Sequence, residues 1–262
     1  MKGLATAQRL GLLLVAVLLG FGLLGPWLAA ADPAHQVLAD YLSPPSPTYW
    51  LGADHLGRSM LARLAHATRL SLLLALVTVA GAAIPGTLLG ILAAWRGGWV
   101  ETGLVLLADA VLALPGLLLV LLFAAFAPGD FLPLYLGLAL AGWVEYFRVS
   151  RAVTAGLLAR PHVEAARLLG FGPGYVAWRL LMPALLPTLA VLAAFGLGGA
   201  VLAISTFSFI GLGIHPPTAE LGSMTTELLP YAYEAPLMVL MPAALVFLAV
   251  LGCHLLAGRG RA

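Results

Sequence analysis

Long apolar runs alternate with short polar segments along the whole chain, and this alternation is the main structural signal of the sequence. A run of about 20 apolar residues is long enough to cross the roughly 30 Å hydrocarbon layer of a bilayer as a helix. Six runs reach that length, at about residues 10–31, 70–94, 100–126, 131–154, 184–212 and 235–257. They predict an all-α polytopic membrane protein with six transmembrane helices.

The first run also has to be compared with a signal peptide, because Ala29, Ala30 and Ala31 resemble the small residues of a cleavage site. The apolar part of a signal peptide usually has about 7–15 residues, and this run is longer. We therefore expect the first segment to be retained as a transmembrane helix.

The segment between the first two runs, at about residues 32–69, is polar by the standard of this chain. The stretch SPPSP at residues 43–47 cannot be helical and predicts an extended loop. Farther along, Ser59 is placed to cap a short amphipathic helix that carries Met60 and Leu64.

Glycines indicate where helices meet and where the chain turns. Gly86 and Gly90 lie four residues apart inside the second run, and such a pair predicts a close approach to a neighbouring helix. The stretch WRGGW at residues 95–99 predicts a tight turn with aromatic side chains at the membrane interface. The stretch PGD at residues 128–130 predicts another turn.

The segment at residues 160–187 is the largest interior stretch on its side of the membrane that is polar enough to leave lipid. A proline followed by EAARLL at residues 164–169 predicts a short helix, which Gly170 and the glycines after it interrupt. A second helical run carries Tyr175 and leads into the next span. A short exposed helix that ends in glycines suits the docking of a soluble partner.

The composition agrees with a protein whose solvent is lipid. Of the 262 residues, 62% are apolar and 9% are charged, and the mean hydropathy is +1.03. A soluble domain carries about 25% charged residues. The formal net charge of +2 does not indicate nucleic-acid binding, because the basic residues are spread among the spans. Cys253 is the sole cysteine, which excludes an internal disulfide and a cysteine-cluster metal site.

The sequence lacks the residues that hydrolyse a nucleotide. Lys2 is the only lysine, and no GxxxxGK[ST] stretch is present to cradle phosphates. No GxSxG or HExxH stretch occurs either. We therefore expect a protein that is not an enzyme, that holds no cofactor, and that depends on another polypeptide for any ATP hydrolysis.

Basic residues are divided unevenly between the two sides that six spans define. Ten lie in the terminal tails and around the second and fourth turns: Lys2, Arg9, Arg96, Arg148, Arg151, Arg160, Arg167, Arg179, Arg259 and Arg261. Three lie on the other side: Arg58, Arg63 and Arg69. Because cytoplasmic loops carry the excess of Lys and Arg, we expect both termini and the 160–187 segment to be cytoplasmic.

Four stretches resemble signatures of a known family. The first resembles the EAA loop of bacterial ABC importer permeases and comprises Glu164, Ala165, Ala166, Gly170 and Met182-Pro183. The second resembles the LGTDxLGRDxxSRL stretch of peptide and nickel importer permeases, matched at Leu51, Gly52, Asp54, Leu56, Gly57, Arg58, Arg63, Leu64, Arg69, Ser71 and Leu72. Ser59 replaces an acidic residue there, which removes one candidate partner of Arg58.

The other two stretches end the fourth and fifth spans. The pattern WxxYARxVR is matched at Trp143, Tyr146, Arg148 and Arg151. The pattern SFLGLG…PPxxEWG is matched at Ser208, Phe209, Gly211, Leu212, Gly213, Pro216, Pro217, Glu220 and Gly222. Leu221 stands in place of the tryptophan of that pattern.

Together these stretches cover about residues 49–224. The chain resembles the second type of permease in the dipeptide, oligopeptide and nickel ABC importer family, with several residues closer to the nickel or metal-chelate branch. The resemblance implies an ABC importer type I transmembrane domain in a bacterial inner membrane. It also implies an N-terminal helix and extracytoplasmic loop at residues 1–68 and a permease domain at 69–257, with a cytoplasmic coupling loop at about 155–184.

The resemblance further implies that this chain forms half of a pathway for nickel, a metal chelate, or a di- or oligopeptide. The implied partners are a second homologous permease, two cytoplasmic ATPase subunits that bind the ATP, and an extracytoplasmic substrate-binding protein. The residues expected to dock an ATPase are Glu164, Ala165, Ala166, Arg167, Gly170 and Pro183.

Acidic residues inside or near the spans have more than one interpretation. Asp109 follows Glu101 by eight residues, so it lies about 12 Å deeper in a helix. It either lines the pathway or makes a structural hydrogen bond to a neighbouring helix terminus. Glu220 has the same two interpretations, a pathway-lining residue or a structural polar residue. Glu145 precedes Arg148 by three residues, which predicts a local helical ion pair.

Histidines do not combine into a predicted metal site. His35, His55, His66 and His215 fall on the expected outer side, and none has a second ligand three or four residues away. The alternative function is an ion-gradient-driven secondary transporter, which Asp109 would suit. That class is built from repeated halves, and this sequence shows no such duplication.

Overall fold

The computed structural model describes residues 6–29, 31–126 and 130–258, and these ranges are mostly helical, apart mainly from the loops at residues 31–59 and 210–220. Several residues used above lie outside the described residues: Lys2, Ala30, Pro128, Gly129, Arg259 and Arg261. The described part contains ten α-helices: α1 Thr6–Ala29, α2 Met60–Arg96, α3 Gly98–Leu112, α4 Gly116–Phe126, α5 Phe131–Leu158, α6 Pro161–Leu168, α7 Pro173–Val176, α8 Met182–Phe209, α9 Leu221–Leu228 and α10 Pro236–Ala257.

The long apolar helices confirm the all-α polytopic class. Among the described residues, four helical segments are long and apolar enough to cross a membrane: Thr6–Ala29, Met60–Arg96, Pro173–Phe209 and Pro236–Ala257. The bent pair α3 and α4 would make a fifth span. Helix α5 has 28 residues, or about 42 Å, and contains Glu145, Arg148 and Arg151. Because α5 is not among those apolar helices, length and composition do not establish the predicted number of six.

Helix α2 differs from its prediction because it begins ten residues before the expected start of the second span. The short helix predicted after Ser59 is the first part of this single 37-residue helix. The cap itself is correct, since the Ser59 hydroxyl accepts a hydrogen bond from the Ala62 amide at 3.4 Å. Arg63 lies in this first part of the helix, where it is fully buried and forms ion pairs with Asp54 and Glu227. Because these acids balance its charge, the helix can continue through this polar stretch into the apolar span.

The third predicted span, at residues 100–126, is broken in the structure. Helices α3 and α4 meet at an angle of 79°. The break falls at residues 113–115 and ends with Pro115. Proline lacks an amide hydrogen and its ring clashes with the preceding helical turn, so Pro115 ends α3 and starts a new direction.

The segment after α6 also differs from the prediction. A continuous helical stretch runs from Pro173 to Phe209, so the helix of the fifth span begins before Ala184. A π-type turn at Ala177–Leu181 joins α7 to α8. It lies immediately before Pro183, whose ring would otherwise press on the carbonyl of Arg179 four residues earlier.

Helices α2 and α5 approach each other closely at the predicted glycine pair. A Cβ atom added to Gly86 would collide with the carbonyl oxygen of Trp143. A Cβ atom added to Gly90 would lie 2.6 Å from the carbonyl oxygen of Phe147. The expectation of close packing at these glycines is therefore confirmed.

Replacing Gly86 with leucine is expected to lower the free energy of unfolding by roughly 1–3 kcal/mol, because the side chain would force α2 and α5 apart. A lower temperature of unfolding of the purified permease would show this. The matched control is Gly103→Leu on α3, since a Cβ atom there would meet nothing within 4 Å. Equal effects of the two substitutions would contradict the packing role of Gly86.

The two ends of the helical bundle are packed separately from its centre. At one end, which we call the α6 end, Val163 and Leu181 pack with Ile91 and Leu157. At the opposite α9 end, four residues form another cluster: Met60, Leu64, Met224 and Leu228. Each end of the bundle therefore has its own apolar cluster.

Candidate functional site

Helix α6 forms a short projection at the α6 end of the bundle. Arg160 is extended, and Pro161 takes the first helical position, where its missing amide hydrogen costs nothing. Val163 and Ala166 are buried, three residues apart on one face. Val163 packs into the apolar cluster of α2, α5 and α8, so this face of α6 contacts the membrane helices.

The predicted docking residues divide between the two faces of this projection. Five of the six are exposed: Glu164, Ala165, Arg167, Gly170 and Pro183. Ala166 is only 8% exposed and contacts the chain's own core. Ala166 thus lies on the same buried face as Val163, three residues away, and the exposed Ala165 is the alanine that a partner could reach, while the docking role of the whole set stays a prediction.

One side-chain contact and one backbone conformation shape the end of α6. The Arg167 guanidinium lies over the indole of Trp95, 5.2 Å from the ring centroid, so α6 also contacts the last turn of α2. Gly170 has a φ of +83°, a conformation that glycine adopts without the steric cost of a side chain. A Cβ atom on Gly170 would meet nothing within 4 Å, so the backbone alone requires glycine here.

Apolar side chains on the same projection were not predicted as site residues. Leu168 and Leu169 are 83% and 77% exposed. Phe171 and Tyr175 stack on each other with ring centroids 4.6 Å apart. We call the exposed group of Glu164, Ala165, Arg167, Leu168 and Leu169 the α6 knob. The helical period relates these residues to the buried face: once Val163 and Ala166 face inward, Leu168 and Leu169 lie on the exposed sides of the helix.

A second polar region runs along α3 and α5. Arg148 donates to Asp109 at 2.6 Å, and Arg151 donates to Glu101 at 2.6 Å. Asp109 therefore has an arginine partner on a neighbouring helix, not the helix terminus that was considered. The predicted local pair of Glu145 with Arg148 is wrong, because Arg148 reaches across to α3 instead.

A buried ion-pair network lies at the α9 end. Arg58 contacts Asp54 at 2.7 Å and Glu227 at 3.1 Å. Arg63 contacts the same two acids. Both arginines and Asp54 are fully buried, and Glu227 is nearly so. Arg58 lacks the acidic partner that the family pattern has at position 59, but it pairs with Asp54 of the preceding loop and Glu227 of α9.

Asp54 organises the loop before α2 as well as the network. Its carboxylate accepts from the backbone amides of Leu56 and Arg58, each at 2.9 Å. Burial alone would raise the pKa of Asp54, but these hydrogen bonds and the charges of Arg63 and Arg58 bring it below the ordinary value. Asp54 is therefore charged at neutral pH and binds both arginines as a carboxylate.

Glu220 is completely buried and caps the beginning of α9. Its carboxylate accepts from the backbone amides of Gly222 at 2.8 Å and Ser223 at 2.9 Å. It also accepts from the hydroxyls of Ser71 at 3.0 Å and Ser205 at 3.3 Å. These contacts join α2, α8 and α9, and they support the structural interpretation of Glu220.

The histidines remain scattered. Within the described ranges, no three His, Cys, Asp or Glu side chains come together in a way that would hold a metal ion. His55 stacks on Tyr231 with ring centroids 4.9 Å apart. Burial lowers the pKa of His55, so this ring is neutral at neutral pH.

Comparison with known families gives the same general class as the fold, a multi-pass component of the inner membrane. Residues 86–258 match the family described as "Binding-protein-dependent transport system inner membrane component". The chain belongs to this family, and it is a permease subunit of an ATP-binding-cassette importer. The alternative of an ion-gradient-driven secondary transporter is thereby excluded.

Relatives with assigned names cover nearly the whole chain. It is 34% identical to the di/tripeptide transport system permease protein DppC of Pseudomonas aeruginosa, over 94% of this chain and 83% of the relative. It is 33% identical to the nickel transport system permease protein NikC of Escherichia coli, over 94% and 89%. It is 31% identical to the probable D,D-dipeptide transport system permease protein DdpC of Escherichia coli, over 92% and 81%.

Proposed function

We propose that this permease forms half of the translocation pathway for nickel, a metal chelate, or a di- or oligopeptide. The other half would be a second homologous permease. Two ATPase subunits would bind and hydrolyse the ATP in the cytoplasm, and an extracytoplasmic binding protein would deliver the cargo. The names of the relatives support these cargo classes, since they include both nickel and peptide permeases.

The observation that carries the coupling role is the α6 knob, an exposed surface attached to the bundle by a buried face. Glu164 and Arg167 offer charged contacts, and Ala165 lets a partner come close. Gly170 has a positive φ just after α6, and Pro183 lies in the first turn of α8. In this proposal the knob docks a cytoplasmic ATPase, and both chain termini lie on the same side, as the distribution of basic residues favours.

The coupling mechanism follows from the packing of α6. Val163 is fully buried in the apolar cluster that α6 shares with α2, α5 and α8, so a movement of α6 acts on these helices. Closure of the ATPases on ATP would move α6 as a rigid lever, and α5 and α8 would follow. The pathway between the two permeases would then change from outward to inward access.

Replacing Glu164 with lysine is expected to reduce co-purification of the ATPase subunits at least 10-fold without reducing membrane insertion. Glu164 is exposed, so charge reversal disturbs the docking surface and leaves the fold intact. Gly170→Leu should act in the same direction by straining the backbone after α6. The control is Glu234→Lys, the same reversal of an exposed acid far from the knob. Normal co-purification of ATPases with Glu164→Lys would refute the docking role.

The cargo is tested separately, with the complete transporter in proteoliposomes. ATP-dependent uptake of radioactive nickel and of a labelled dipeptide should be measured with the cognate binding protein present. Uptake of one of them supports the corresponding cargo class. Uptake of neither would overturn the cargo proposal and leave the ATPase-docking test unaffected.

A further inference from the structure

Charged side chains lie along two neighbouring helices of the bundle. They lie along α3 and α5, and we call them the α3/α5 stripe: Glu101, Asp109, Glu145, Arg148 and Arg151. Both members of the Asp109–Arg148 pair are about half exposed, at 51% and 52%. Glu145 is exposed as well. The stripe is thus open in the single chain.

Glu145 lies in the middle of its helix. It follows Phe131 by 14 residues and precedes Leu158 by 13, so each end of α5 is about 20 Å away. An ionised side chain at that depth is costly in contact with acyl chains, and such residues face a bundle interior or a water-filled cavity. The α3/α5 stripe therefore faces either the second permease or the translocation pathway.

The charges of the stripe do not cancel. Its two arginines are each bound to an acid of α3 at 2.6 Å. Glu145 is the third acid, and no hydrogen bond or ion pair joins it to any described residue. Glu145 is consequently the one acid of the stripe without an ion-pair partner among the described residues, and it lies in the middle of α5.

The surroundings of Glu145 leave room for a ligand group. It lines a groove of about 270 Å³ between α2, α5 and α8. Gly142, Gly196 and Gly199 contribute only backbone to the walls, and none of the lining residues is basic. A cation that neutralises Glu145 must therefore come from outside this chain's described residues.

We propose that Glu145 is a cation-selecting residue of the translocation pathway. Its carboxylate receives the positively charged part of the cargo as the cargo crosses the middle of the membrane. The ammonium group of a peptide and a divalent metal ion share this chemistry. The inference rests on the proposed importer function, and it adds the residue in this chain that recognises the charge of the cargo.

The first test measures charge selectivity in the groove and needs no cargo. Ala141 lines the same groove one helical turn from Glu145, about 5–6 Å between Cβ atoms. Cysteine is placed there after Cys253→Ser has removed the sole native thiol. The assembled transporter is then labelled with trimethylammonium-ethyl or sulfonatoethyl methanethiosulfonate. Glu145→Gln should lower the ratio of cationic to anionic labelling rates about 10-fold.

The matched control is a cysteine in place of Leu132, an exposed position near the start of α5. It is 13 residues from Glu145, or about 20 Å, so its labelling ratio should not change with Glu145→Gln. An unchanged ratio at Ala141→Cys would overturn the proposal. A thiol there that neither reagent reaches would also overturn it, because the groove would then face lipid or a protein contact.

The second test measures transport by the complete complex with nickel or a labelled dipeptide. Glu145→Gln should lower uptake at least 10-fold, and Glu145→Asp should recover a substantial part of it. Co-purification of the second permease should stay normal in both variants. Loss of that co-purification would show that Glu145 binds the partner subunit, which contradicts a cargo role. If wild-type protein moves neither probe, the cargo proposal fails and the labelling test still decides the role of Glu145.

Discussion

Replacing Arg63 with methionine is expected to lower the free energy of unfolding by about 3–5 kcal/mol. Arg63 is fully buried and contacts both Asp54 and Glu227. Its removal leaves two buried or nearly buried acids with the single arginine Arg58. The uncompensated charge is the main cause of the loss, since methionine occupies a similar volume.

The double variant Arg63→Met with Glu227→Gln separates charge from packing. It removes the excess negative charge, so it should regain about half of the lost stability. The measurement is the temperature of unfolding of the purified complex, followed by loss of monodisperse protein. Arg179→Met is the control, because Arg179 is exposed at the other end of the bundle. A loss below about 1 kcal/mol, or no recovery in the double variant, would contradict the structural role of the network.

Replacing Leu168 and Leu169 together with serine is expected to abolish ATP-driven uptake while leaving the permease folded. Both side chains are more than three-quarters exposed, so they contribute little to the stability of the isolated chain. On a docking surface, by contrast, the loss of such anchors costs about 2 kcal/mol or more for each side chain. Two such losses sum to about 4 kcal/mol, so we expect ATPase binding to weaken by roughly 1,000-fold.

The measurements are uptake in proteoliposomes and co-purification of the ATPase subunits. Gly174→Ala is the matched control in the same loop, since an added Cβ atom would meet nothing within 4 Å. It should leave both quantities near the wild-type level. If the serine variant keeps full uptake, the two leucines lie outside the docking surface and the knob must be defined more narrowly.

The apolar runs were sufficient to predict the class of fold and the place of most helices. The hydropathy of a segment shows whether it can cross lipid as a helix, and it can be calculated from the sequence of that segment alone. The early start of α2 was missed because the burial of Arg63 depends on Asp54 and on Glu227, which lies 164 residues away. The bend before α4 was missed for another reason, because prolines are common in membrane helices and most do not break them.

The candidate site was predictable in position but not in detail. The glycines after residue 169 and the EAA stretch indicated the projection correctly. The helical period places Leu168 opposite Val163 and Ala166, but which of these two sides is buried depends on how α6 packs against α5 and α8. The pairing of Arg148 with Asp109 was missed likewise, because a nearby acid in sequence was preferred to a closer one in space.

The 37-residue helix α2 connects two remote surfaces of the protein. One of its ends holds the charge cluster around Arg63, and its other end touches the projecting helix through Trp95 and Arg167. If binding at one of these surfaces changes the affinity at the other, the coupling free energy is the same in both directions. Under the proposed function these surfaces face opposite sides of the membrane, and the factor by which ATPase docking changes the affinity of the outer surface for a binding protein equals the factor by which that protein changes the affinity for the ATPase.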